Sequence, residues 1–189
     1  MRKVAIVGAS GPSNLWANDL PSEVEVWSMN MCHVFLKRPP QRWFQMHHRM
    51  HNGDPLRPFG RPPIHEQWLI DCDIPVFMQD KDPDIPMSVR YPLEAVTARV
   101  GGYLTSSAAY MIALAIYEWV DELSLLGIYL QTGSEYQQQR PCVEYLLGVA
   151  RGFGIKVILP PDCQLTKAPL YAYSEFQDPV LELESVVAI

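Results

Sequence analysis

The chain has 189 residues, 48% of them apolar and 19% charged, with a formal net charge of −6. That length can bury a core and suits one domain over residues 1–189, whereas the acidic balance argues against nucleic acid as a partner, because affinity for a phosphate backbone needs a basic face. No apolar run approaches the roughly 20 residues a membrane helix requires, so no membrane partner is expected.

Residues 3–7 are nearly all apolar and rich in β-formers, as in a strand covered on both faces. Together with Met1-Arg2-Lys3 they are too short for a signal-peptide core and lack a small-residue cleavage site, so a cytoplasmic protein is expected. Cys32, Cys72, Cys142 and Cys163 are scattered without CxxC spacing and read as reduced, packed thiols. After the turn Gly8-Ala9-Ser10-Gly11-Pro12-Ser13, strands are expected at residues 24–28 and 43–46. The prolines Pro39, Pro40, Pro55, Pro58, Pro62 and Pro63 then force an irregular excursion over about residues 37–92. Within it, residues 65–71 read as a short helix, 75–79 as a strand and 80–92 as a Pro-rich loop.

Beyond the excursion, residues 93–100 read as a helix, and Thr105-Ser106-Ser107 supplies an N-cap for a second over 107–119. That second helix is apolar nearly all round and is expected to be covered on both sides. A strand at 122–127, a polar loop at 129–137, a helix at 138–153 ended by Gly154, and a strand at 155–159 complete the alternation. The apolar–polar alternation near residues 180–189, in a C-terminal segment from about 170, suits an edge strand or a contact in a homo-oligomer. Strand–helix alternation of this kind predicts an open, mostly parallel α/β sheet flanked by helices.

In such a sheet, ligands bind beyond the carboxyl ends of the strands. The turn after the first strand offers Gly8 and Gly11 for close backbone approach and Ser10 and Ser13 as hydroxyl donors to a phosphate; a tight structural turn is the competing reading. The spacing is neither GxGxxG nor a P-loop. Gly11→Val or Ser13→Ala is expected to weaken binding without unfolding the domain. Thr105, Ser106 and Ser107 offer three hydroxyls at a helix start, where a phosphate or ribose fits as well as a plain N-cap. Asn30, two residues past the second strand, stands where a ribose or base is read, or where a turn needs an Asn. In the loop after residue 128, Tyr129 and Tyr136 can stack on a base, Arg140 can pair with phosphate and Glu135 can act as a base; a polar surface loop is the alternative. Between Lys37 and Arg61 the chain carries Lys37, Arg38, Arg42, Arg49, Arg57 and Arg61 against the single acid Asp54, which suits a local anionic ligand or a solvated loop.

His47-His48-x-x-His51 would present two zinc-competent imidazoles if helical, but it lacks the Glu of HExxH and follows a segment that reads as a strand. No metal or cofactor is therefore expected, and His47 or His48 is the candidate general base. Asp80-Lys81-Asp82 is the better placed of two DxD look-alikes, although its setting suggests a loop face.

Several of these residues carry a family resemblance. The first strand with Gly-x-x-Gly-Pro-Ser, the Leu-Pro pair, the second strand and Asn30 resemble the start of the bacterial sialyltransferases that use CMP-sialic acid. They also resemble the MptE-like hydroxymethylpterin pyrophosphokinases and their Rossmann-like relatives. Leu104-Thr105-Ser106-Ser107, Ala109-Tyr110-Met111 and the strand ending in Gly127-Ile128 continue the match, which covers about two thirds of the chain and lapses over residues 41–99. The whole also resembles small proteins encoded by tailed phages. The resemblance implies a Rossmann-like domain with a nucleotide against Gly8, Gly11, Ser13, Asn30 and the 105–107 turn, and no metal. Two departures stand out: Tyr129 occupies a position usually acidic, and no His follows His65 where the sialyltransferases place a catalytic one. The expected function is nucleotide or nucleotide-sugar binding, as a glycosyltransferase-like transferase with His47, His48 or Glu135 as substitute base. The alternatives are a non-catalytic protein that sequesters or senses a nucleotide, as in phage anti-defence, and a pyrophosphokinase-like phosphotransferase.

Overall fold

Four consecutive apolar residues, Val4, Ala5, Ile6 and Val7, make β1 (Lys3–Val7) the middle of the sheet, and all four are buried. The computed structural model describes residues 1–47, 63–130 and 136–168. β1 pairs in parallel with β2 (Val24–Met29) on one side and β6 (Glu122–Leu126) on the other. β3 (Arg42–Phe44), β4 (Val76–Met78) and β5 (Ser88–Arg90) extend the first side, and β7 (Lys156–Ile158) the second. The result is an all-parallel, seven-stranded sheet in the order β5-β4-β3-β2-β1-β6-β7, the α/β arrangement that the strand–helix alternation predicts.

The helices are α1 (Pro63–Asp71), α2 (Leu93–Val100), α3 (Ser107–Tyr117) and α4 (Tyr136–Gly152). Their positions follow the sequence pattern to within a few residues. Ser106 caps α3 by accepting from the Ala109 amide at 3.2 Å, which fixes where that helix begins. Residues 108, 109 and 111–116 are buried because α3 packs on β1, α2 and α4 at once; its apolar character all round answers that placement. Since α3 runs back to feed parallel β6, its N-terminal end lies at the carboxyl edge of the sheet.

One element differs from expectation. Residues 80–92 contain β5, a three-residue edge strand joined to β4, where the prolines suggest only a loop. The segment after the glycine turn is a 3-10 helix, Pro12–Asp19, with Gly11 at its N-cap and Pro12 opening it.

At the amino edge, Arg2 pairs with Glu25 (2.7 Å) and Glu118 (2.9 Å), and Arg42 joins Glu118 at 2.6 Å while lying over the Trp27 ring. Arg38 donates to the carbonyls of Leu20, Pro21, Ser22 and Val24. Arg38 and Arg42 thus tie down the strand entrances, and these two cations of the basic excursion serve the fold away from the carboxyl edge.

Candidate functional site

The chain lays strands outward from β1 to β5, then returns to place β6 on the other side of β1. The order therefore reverses between β1 and β6, and the crevice at their carboxyl ends is where an open α/β sheet receives ligands. Here two loops interlock. The Gly8 amide donates to Leu126 O (2.8 Å) and the Ser10 amide to Gly127 O (3.0 Å). A β-carbon on Gly8 would meet the Gly127 carbonyl, and one on Gly127 (φ 66°) would stand 2.6 Å from Asn14 Cβ and Gly8 O. The close approach these glycines allow is between two stretches of the protein's own backbone. Ser10 and Gly11 stay exposed, and Ser13 is buried.

Tyr129 caps the same junction. Its ring fills the space a β-carbon on Gly11 would need, and Gly11 has a φ of 68°. The Tyr129 hydroxyl donates to Asp162 Oδ2 at 2.8 Å and lies 2.7 Å from Ser13 Oγ, which accepts from the Gly127 amide at 3.0 Å. A phenol has one proton, so Ser13 must donate to Tyr129. The bonds run one way, from Gly127 N–H through Ser13 and Tyr129 to the carboxylate. Burial pushes the Tyr129 phenol up, which keeps it protonated as that direction requires. Gly11→Val and Ser13→Ala therefore disturb the fold as well as any ligand: the first overlaps a ring and the second breaks this chain.

Asn30 lies at the same edge, just past β2. It holds a φ of 52°, in the left-handed region, and its buried Oδ1 has no hydrogen-bond partner among the described residues. Buried polar atoms are nearly always paired, so this one marks a place where a donor belongs. The chain then bends towards the end of β1, where Ser28 Oγ donates to Val7 O at 3.0 Å and the Cys32 thiol approaches the same carbonyl. Thr105 is exposed at the start of α3, with Ser106 and Ser107 half-buried behind it.

A hydrogen-bonded series that no local motif announces crosses the ends of β2 and β3. His33 Nε2 lies 3.1 Å from His65 Nδ1, and His65 Nε2 lies 2.9 Å from Gln45 Oε1. Gln45 and His65 are fully buried. The His33 ring stacks on Trp68 at 4.8 Å and on His65 at 5.2 Å, each within 9° of parallel. These residues come from three separate segments, and only the fold unites them. Farther along the edge, a cavity of about 230 Å³ lies over the ends of β3, β4 and β5, lined by Gln79, Asp80, Arg90, Tyr91 and Tyr110 among others. Tyr110 brings the first turn of α3 to the cavity wall. Asp80, from the DxD look-alike, faces Arg90 there at 3.5 Å.

The remaining candidates are dispersed. Arg140 binds Glu144 Oε1 (2.9 Å) and the Gln164 carbonyl (2.5 Å), which holds α4 to the loop after β7. Tyr136 opens α4. His47 is exposed two residues beyond Gln45, whereas His48, His51 and Glu135 lie outside the described residues. Among the described residues, no group of three His, Cys, Asp or Glu side chains is placed to hold a metal ion, and no helix is long and apolar enough to cross a membrane.

No protein-family model matches the chain, and no curated protein is detectably similar in sequence. Solved structures are similar in fold. The sialyltransferase CstII from Campylobacter jejuni, in complex with cytidine-5'-monophosphate, aligns at a TM-score of 0.54 and 17% identity over 87% of this chain and 82% of that one. The fold is that of these sialyltransferases. The same enzyme with the substrate analogue CMP-3FNeuAc gives 0.52 and 16% identity, with the same coverage of both chains. The monofunctional alpha-2,3-sialyltransferase Cst-I from Campylobacter jejuni gives 0.54 and 15% identity over 84% of this chain and 75% of that one.

Proposed function

We propose that this chain binds a nucleotide-activated sugar, with the nucleotide against Asn30 and the 105–107 turn, and acts as a glycosyltransferase-like transferase. The observation that carries the reading is the buried Oδ1 of Asn30 at the carboxyl end of β2, which has no hydrogen-bond partner among the described residues. An amide oxygen there suits the exocyclic amine of a base or a ribose hydroxyl, both donors. The exposed Thr105 hydroxyl and the Ser107 hydroxyl stand at the N-terminal end of α3, where a phosphate is favoured electrostatically. The cavity beside Tyr110 leaves room for the rest of the donor. Similarity to structures solved with CMP and with CMP-3FNeuAc makes a cytidine nucleotide the first ligand to try.

Titration calorimetry with CMP, UMP, AMP and GMP tests the binding, and incubation with CMP-sialic acid, followed by assay for free CMP, tests the chemistry. Asn30→Gly keeps the left-handed backbone accessible and removes the amide. It should lower affinity for the bound nucleotide about tenfold, the loss of roughly one hydrogen bond. Unchanged affinity removes Asn30 from the site.

A second reading is a protein that holds a nucleotide without reacting it. The Ser13–Tyr129–Asp162 series favours it, because two groups beside the β1–β6 crevice satisfy each other. Tight binding with CMP-sialic acid recovered intact would support that reading. The phosphotransferase alternative is weaker, since such chemistry relies on carboxylate-held Mg²⁺ and Tyr129 stands where β6 would offer an acid.

A further inference from the structure

His33, His65 and Gln45 are joined by bonds whose polarity the chemistry of the groups dictates. Gln45 Oε1 can only accept, so His65 Nε2 carries a proton. With His65 in its neutral form, its Nδ1 can only accept, and His33 Nε2 then carries the proton between the rings. Neutral His33 is left with its lone pair on Nδ1, which has no partner among the described residues. The parallel stack with Trp68 and His65 holds the ring in this orientation. His33 sits in the short 3-10 turn Cys32–Val34, three residues after Asn30 at the same carboxyl edge.

We propose that His33 Nδ1 is the proton acceptor of the site, with His65 and Gln45 as positioning residues that fix its tautomer. The assignment rests on the nucleotide-sugar reading above. In the step it implies, an acceptor hydroxyl attacks the sugar carbon that bears the nucleotide. The O–H proton passes to His33 Nδ1 as the new C–O bond forms. The bond from that carbon to the phosphate oxygen breaks, and its electron pair leaves with the nucleoside monophosphate. The imidazolium then returns its proton to solvent. Burial holds the His33 imidazole below its ordinary value, so the ring is neutral and ready at pH 7. Among the described residues, the ring and hydrogen-bond contacts of His33 are to His65 and Trp68 of α1 and to Trp43 of β3, and of these three only His65 titrates.

The test combines three measurements: ¹⁵N NMR of the imidazoles in the intact protein, CMP binding, and the rate of CMP release from CMP-sialic acid between pH 5 and 8 with a sugar acceptor present. The wild-type protein should show an unprotonated Nδ1 and a protonated Nε2 on His33. His33→Gln should bind CMP within twofold of wild type, lose about 100-fold in release rate, and lose the acid limb of the pH profile. Gln45→Glu should keep the tautomer and move that limb to higher pH, because a carboxylate favours charge on the relay. A proton on Nδ1 in the neutral ring, or an unchanged rate and limb in His33→Gln, overturns the assignment while the nucleotide reading stands. CMP binding without any release by the wild type does the same. Absence of binding by every nucleotide tested defeats the underlying reading, and the assignment falls with it.

Discussion

The Tyr129 ring occupies the side of Gly11 on which any other residue would carry its β-carbon. A residue in the β6 loop thereby dictates the composition of the β1 loop across the switch point of the sheet. The contact continues in the bonds from Tyr129 to Ser13 and Asp162, so one side chain fastens the loops after β1, β6 and β7. Tyr129→Phe keeps the ring and removes the hydroxyl. Ser13 loses its acceptor and Asp162 its donor, and the fold should lose about 1–2 kcal/mol, read as a lower urea midpoint with an unchanged slope. A midpoint equal to wild type would mean that the hydroxyl fastens nothing.

The overlap at Gly11 predicts a coupling. Gly11→Ala should destabilise by about 2–6 kcal/mol, the sum of forcing a side chain into a positive-φ, extended-ψ backbone (φ 68°, ψ 175°) that glycine alone adopts readily and a collision with the ring. In a Tyr129→Ala background the collision is gone, and the same substitution should cost only the backbone share, about 1–3 kcal/mol. A double-mutant cycle by chemical denaturation measures the difference. Additive effects would show that the ring and the glycine do not compete for space.

Gly127 carries a heavier constraint, because its φ of 66° coincides with backbone and side-chain atoms 2.6–2.7 Å from the added carbon. Backbone oxygens of Gly8 and Ser10 cannot swing aside as a flexible side chain can. Gly127→Ala should therefore lower stability by about 2–5 kcal/mol and depress the yield of folded protein. Thermal melting and the soluble fraction on expression check it, and a well-folded variant within a degree or two of wild type would refute it.

The sequence predicts this edge of the sheet unevenly, for a physical reason. Val4 to Val7 and Ala108 to Ile116 announce buried elements because every residue in them is apolar, and burial on all sides leaves that trace in composition. β5 leaves none: three residues at a sheet edge, with Arg90 exposed, have no periodicity to read. The glycine turn is visible as a turn, yet its partner is not, since Gly127 and Tyr129 lie far along the chain. The His33–His65–Gln45 series is invisible for the same reason. Its spacings of 32 and 20 residues arise from how β2, β3 and α1 pack, not from a local motif. The one local signal is position: His33 stands just past the carboxyl end of β2, whereas the HHxxH spacing points to His47 and His48.

The amino edge offers a prediction in pH. Arg2, through a direct hydrogen bond at 2.7 Å, holds the Glu25 carboxyl below its ordinary value of 4.5; burial opposes this and the Trp27 indole N–H assists it. A carboxylate with a depressed value in the folded state binds its proton more readily when unfolded. Its contribution is therefore complete above the ordinary glutamate value and disappears as pH falls through the lower folded value. Glu25→Gln cannot titrate, so the variant should be less stable than wild type at pH 7, by about 1 kcal/mol or less for a pair near the surface. The two proteins should then converge as the solution is taken below pH 4.5. Urea midpoints measured for both proteins from pH 7 down to pH 3 decide the matter: a gap that stays constant across that range would show that Glu25 gains nothing from Arg2.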